Sequence, residues 1–119
     1  MYVAIDIIRD PEEAQELWDV KCVKRFLKAA VELTGLHAIT KRQVIEHLEG
    51  GLLHIDGHVM IAESHIHVTV VPERGRGWAD VFSCKEVNIN LLTVVAAESF
   101  GGNQFIRPIP RMELTEATQ

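Results

Sequence analysis

The sequence has no stretch approaching about 18 consecutive apolar residues, the least that a membrane-crossing helix needs, so no transmembrane anchor is expected. It also lacks internal repeats, low-complexity segments and any linker, so its 119 residues are expected to form one domain. Basic residues are in the minority: 12 Lys and Arg stand against 17 Asp and Glu, a net charge of −5 with no basic stripe. That balance argues against nucleic acid as a partner. The opening MYVAIDIIRD carries acids and no basic n-region, so a secretory signal is not expected. Two cysteines, Cys22 and Cys84, are too few for a disulfide framework. Without an export signal both thiols are expected reduced, in the cytoplasm. What remains is an ordinary globular composition, 47% apolar and 24% charged.

Hydrophobic spacing organises the chain. Val3, Ile5 and Ile7 predict a buried strand over residues 2–8. Asp10 is a good N-cap, Pro11 fits the first helical position and Glu13 stands at capping-box spacing, so a helix is expected to start here. Leu17, Trp18, Cys22, Val23, Phe26, Leu27, Ala30 and Val31 recur at helical spacing and predict one long helix ending near Gly35. Residues 36–40 fit a short strand. Thr40 to Gln43 repeats the capping-box spacing ahead of Val44, Ile45 and Leu48, which predicts a short helix closed by Gly50-Gly51. Residues 52–55, 59–62, 65–71 and 78–84 read as strands, broken at Asp56-Gly57, at Glu63-Ser64 and by a turn over residues 72–77. Asn88 is expected to cap a second helix through Phe100, with Ile89, Leu92, Val95, Ala96 and Phe100 inward, and residues 104–109 form a last strand. This order predicts an α+β two-layer sandwich, an antiparallel sheet with two main helices packed on one face. Two helices cannot cover every apolar strand position. The second face is therefore expected to meet another copy, as a homodimer or higher oligomer.

The stretch Ile61-Ala62-Glu63-Ser64-His65-Ile66-His67-Val68-Thr69-Val70-Val71-Pro72-Glu73, followed by Trp78-Ala79-Asp80-Val81-Phe82-Ser83-Cys84, resembles the small prokaryotic S-adenosylmethionine decarboxylases. Those enzymes carry Glu-Ser-His-x-x-x-His-Thr-Trp-Pro-Glu and, further on, Val-Asp-x-Phe-Thr-Cys-Gly. The spacing from Ser64 to Cys84 agrees without a gap, and the order of elements fits nearly the whole chain. The resemblance implies self-cleavage between Glu63 and Ser64. The serine hydroxyl attacks the preceding carbonyl, Glu63 becomes a new C-terminus, and a pyruvoyl group replaces Ser64. Decarboxylation needs an electron sink that side chains do not provide, and a pyruvoyl carbonyl, joined to the substrate amine, is one. The resemblance further implies Cys84 as proton donor to the product carbanion, and Glu73 as acceptor for the ribose hydroxyls of a nucleoside substrate, S-adenosylmethionine. His65 or His67 would assist processing, and the pathway would be polyamine (spermidine) synthesis. Taken singly, Cys84 is also a plain core residue and Glu73 a plain turn glutamate.

Several positions depart from the family pattern. The family's second histidine, which helps remove the serine α-proton, falls on Thr69, and threonine is no base near neutral pH. Asp56 stands where a serine assists processing, and an ionised carboxylate opposes a developing oxyanion. Val71 replaces the tryptophan before the proline, Lys85 replaces the glycine after the cysteine, and residues 41–51 are longer than the family segment. On a strand His65, His67 and Thr69 share a face. His67 is displaced from the histidine position by two residues, about 6–7 Å, unless a bulge re-aims it. The departures keep a second reading open: a non-processing paralogue that binds S-adenosylmethionine and acts as a lyase or a regulatory partner. A third is a pyruvoyl decarboxylase of another amino acid such as arginine or ornithine. No metal is expected at the catalytic residues. His54, His58, His65 and His67 form a cluster that suits a transition metal but lacks a ligand-spaced cysteine pair. Arg74 and Arg76, in a glycine-containing turn, read as a solvated hairpin rather than an anion site.

Overall fold

The computed structural model describes residues 2–34, 38, 40–62, 64–83 and 86–108. Six antiparallel strands form one sheet: β1 (Tyr2–Ile8), β2 (Gln43–Glu49), β3 (Leu52–Ile61), β4 (Ser64–Val71), β5 (Arg76–Phe82) and β6 (Asn103–Pro108). Their order across the sheet is β2-β3-β4-β5-β1-β6. Three helices cover one face, α1 (Pro11–Leu17), α2 (Val20–Thr34) and α3 (Ile89–Phe100). The expected α+β sandwich is the observed fold, with three helices in place of two.

The helical layer is built around a few side chains. Val3, Ile5 and Ile7 of β1, Ile55, Val59 and Ile61 of β3, and Ile66, Val68 and Val70 of β4 are buried beneath it, together with Val23, Phe26 and Leu27 of α2 and Leu92, Val95 and Phe100 of α3. Cys22 lies in this core, where its thiol donates to Ser99 O at 2.7 Å. Burial pushes the Cys22 thiol above its ordinary range, so it stays protonated and unreactive.

Four expectations are corrected. First, the long helix is two helices. Trp18 is extended (φ −91°, ψ 110°), because its indole N–H reaches Phe100 O at 2.8 Å. The Asp19 carboxylate then accepts the Cys22 amide at 2.8 Å and opens α2. Leu17, expected inward, is half exposed at this break.

Second, residues 43–49 are a strand. Gly50 and Gly51 both have positive φ (59° and 79°), which makes a two-residue hairpin turn rather than a helix stop. Thr40 accepts the Met60 amide at 3.0 Å instead of capping a helix. Val44, Ile45 and Leu48 suit either period, and pairing with β3 decides.

Third, β3 runs unbroken through Asp56-Gly57. A Cβ on Gly57 would stand 2.5 Å from Val23 Cγ1 and 3.0 Å from Leu27 Cδ1, so this glycine admits α2 against the sheet. Fourth, the turn expected over residues 72–77 is present but shorter, a 3-10 turn over Pro72–Arg74 closed by left-handed Gly75, and β5 already begins at Arg76. Of the short strand expected over 36–40, Ala38 makes a single bridge to Ile61. Residues 35–37 and 39 lie outside the described residues.

Candidate active face

Strand register assigns every polar candidate a side. Alternation places Val68 toward the helices and His67 and Thr69 toward the open face. The pairs Asp56↔Thr69, His58↔His67 and Met60↔His65 carry this across β3 and β4. His67↔Asp80 and His65↔Phe82 extend it to β5, and His47↔His54 extends it to β2. Five histidines, His47, His54, His58, His65 and His67, thus share the open face with Asp56 and Asp80.

Two hydrogen-bonded groups organise it. Asp56 sits at the centre of one: its carboxylate accepts the Thr69 hydroxyl through Oδ1 and contacts His47 Nε2 through Oδ2. His67 Nε2 lies 3.3 Å from the same Thr69 hydroxyl. The two departures from the family pattern are therefore cross-strand partners that satisfy each other, and Thr69 is almost fully buried in doing so. The second group surrounds Asp80. Tyr2 donates to Asp80 Oδ2 at 3.3 Å, which raises the tyrosine pKa, mainly through repulsion between phenolate and carboxylate. Asp80 Oδ1 is buried without a hydrogen bond among the described residues. His65 Nε2 and His67 Nδ1 each stand 3.8 Å from it, beyond hydrogen-bond reach. His65 also stacks on Phe82 (5.9 Å, 16°).

His58 is held below the ordinary histidine range, first by burial and then by the neighbouring His65 and His67 charges, with Asp80 opposing. The unfolded chain therefore binds protons at His58 more readily than the folded one. Its contribution to stability is whole above the unfolded value of about 6.5 and is lost as pH falls from there toward the folded value. The melting temperature should drop between pH 7.5 and 5.5, and His58→Gln should flatten that slope. A slope unchanged in the variant would remove His58 as its source.

Ser64 opens β4, opposite Ile61. His65 pairs with Phe82, so the end of β5 lies at the same end of the sheet as Ser64. Glu63 and Cys84, adjacent in sequence to these ends, lie outside the described residues. Glu73 is exposed in the 3-10 turn beyond the far end of β4. From Ser64 to Val71 the strand rises about 23 Å, and from Ser64 to Thr69 about 16 Å. Residues Ser64 to Val70 pair in sequence with β3, and His65 to Val71 with β5, so no bulge brings His67 back toward Ser64. Within one chain, Glu73, Thr69 and Asp56 do not converge on Ser64.

His47 and Glu49 were absent from the sequence-derived candidates because residues 43–49 read as helical. Their alternation on a strand would have revealed them. A cavity of about 540 Å³ on the outer side of α2, lined in part by Lys24, Lys28, Lys41 and Arg42, contains none of the candidate residues. Among the described residues, no helix is long and apolar enough to cross a membrane.

Fold and face together define an α+β sandwich with a histidine- and carboxylate-bearing sheet surface, uncovered among the described residues, and a serine at one hairpin corner. The sequence model of the S-adenosylmethionine decarboxylase family matches residues 2–107, and the chain belongs to that family. No individual curated protein matches it significantly.

Proposed function

We propose that the chain is a pyruvoyl-dependent decarboxylase of S-adenosylmethionine, self-processed at Glu63–Ser64 and serving polyamine (spermidine) synthesis. The family is generally pyruvoyl-dependent. The observation that carries the reading is the strand register, which sets Ser64 at a hairpin corner and brings the end of β5, two residues before Cys84, to the same sheet end. In the processing step Ser64 Oγ adds to the Glu63 carbonyl and the C–N bond breaks to an ester. Loss of the Ser64 α-proton then expels the Glu63 carboxylate, and water releases ammonia to leave the ketone. That ketone supplies the electron sink for decarboxylation. Cys84 returns a proton to the product carbon, and Glu73 accepts the ribose hydroxyls, each of its two carboxylate oxygens facing one hydroxyl.

The working unit is a homodimer joined through the open faces. Ile45, Met60, Trp78 and Phe105 are large, exposed and on that face, which supports its burial. Strand length supports it too, since Glu73 and Thr69 lie too far along β4 to serve their own Ser64. A two-fold axis brings the far end of one β4 toward the Ser64 end of the other.

The saturated Asp56–Thr69–His47 group favours a second reading, a paralogue that binds S-adenosylmethionine without cleaving itself and acts as a lyase or regulatory partner. Intact mass and sedimentation on one preparation separate the two. The proposal expects slow accumulation of fragments 1–63 and 64–119, the second blocked at its N-terminus, in a particle of two chain pairs, with Ser64→Ala intact. A chain uncut after days selects the paralogue, and a clean monomer removes the shared site.

A further inference from the structure

We propose that the β2–β3 hairpin binds one divalent transition-metal ion, with Zn2+ the best fit to its donors, through His47, Glu49 and His54. One potential ligand atom from each residue lies within 4.8 Å of the others. Three features of the hairpin produce this convergence. His47 and Glu49 are two residues apart on β2 and so share a face. His54 is the direct cross-strand partner of His47, and the two rings stack at 5.3 Å and 28°. The Gly50-Gly51 turn, positive in φ at both residues, locks the register, so the donors come from one rigid unit rather than from mobile loops.

A fourth feature distinguishes the group from a chance surface cluster. The Asp56 carboxylate contacts Nε2 of His47, so an ion bound beside it would use Nδ1, the ring nitrogen that Asp56 does not hold. A histidine whose second nitrogen is held by a carboxylate is oriented and made more basic as a ligand. Two imidazoles and a carboxylate are borderline donors. They suit Zn2+ or its neighbours in the first transition row better than Mg2+ or Ca2+, which favour all-oxygen sites. Three protein donors leave a further position for water. His58, His65 and His67, which the sequence grouped with His54, are not part of this convergence. His47 and Glu49 lie on the segment, residues 41–51, that exceeds the family pattern, and His54 faces them from β3. Binding there does not require cleavage at Ser64.

The test uses the full chain, stripped with EDTA, dialysed, and titrated with ZnCl2 alone by calorimetry at pH 7.5. Saturation at one ion per chain is expected, with a rise in melting temperature. Co2+ in place of Zn2+ should give visible d–d bands. His54→Ala and Glu49→Gln should each weaken binding about 10-fold or more, the scale on which even outer ligand partners act. His58→Ala, outside the trio, should leave affinity unchanged. Far-UV circular dichroism confirms that the variants are folded, and the result is expected alike for cut and uncut chains. No saturable binding would overturn the proposal. So would affinity unchanged in His54→Ala, or affinity lost equally in His58→Ala.

Discussion

Asp56→Ser combined with Thr69→His should accelerate cutting at Glu63–Ser64 by about 100-fold or more, the low end of what a positioned acid–base group contributes. The structure explains why both changes are needed. In the natural chain the Asp56 carboxylate accepts the Thr69 hydroxyl and also engages His47. Thr69→His alone sets the new imidazole against that carboxylate. The ion pair favours imidazolium, which has no lone pair to take the α-proton of Ser64 in the second copy, the serine within reach across the proposed dimer. Asp56→Ser alone removes the opposing charge but supplies no base. Together they provide a neutral hydroxyl donor beside an imidazole that titrates near pH 6.5. The two substitutions should therefore be strongly non-additive, as expected for groups in contact. Fragment appearance by mass spectrometry gives the rates, and Ser64→Ala in the double variant should abolish them. A double variant no faster than the natural chain would show that these positions do not limit processing. Rapid, complete cutting of the natural chain would show the same.

Phe100→Ala should cost about 3–5 kcal/mol, the range for emptying a buried phenylalanine site. Phe100 ends α3 with no exposed surface. Its ring lies 5.3 Å from that of Phe26 and 6.0 Å from that of Trp18. Its carbonyl accepts both Trp18 Nε1 at 2.8 Å and Arg9 Nη1 at 2.7 Å, so the break between α1 and α2 is pinned to this residue. The loss is a large share of the roughly 5–15 kcal/mol that holds a domain folded. Urea unfolding should show a lower midpoint at unchanged slope. Leu17→Ala, at the half-exposed end of α1, should shift stability by no more than about 0.5 kcal/mol. Similar losses in the two variants would contradict this account of the helix junction.

Much of the candidate site was legible before the fold. The alternation of His65, His67 and Thr69 put them on one face, and Asn88 and Gly101 bounded α3 as their chemistry demands. The segment 40–50 misled because a capping-box spacing and an i, i+1, i+4 apolar pattern are compatible with a strand as well. Only the partner strand discriminates. Asp56-Gly57 misled because glycine in a strand marks either a break or a close approach, and the approaching helix is remote in sequence. Asp80 and His47 were passed over because their significance lies in cross-strand neighbours.

By itself the sequence determined the strand at each end, α3 with its caps, the α+β class, the Glu63-Ser64 motif and the two substituted positions, Asp56 and Thr69. These follow from short-range spacing, capping geometry and side-chain chemistry, all of which are local. Only the tertiary structure decided that Asp56 and Thr69 bond to one another, that Trp18 divides the helix to reach Phe100, and that five histidines share an open face. Each of these depends on strand register or on contact between distant segments. Residue spacing within a single element carries no record of either.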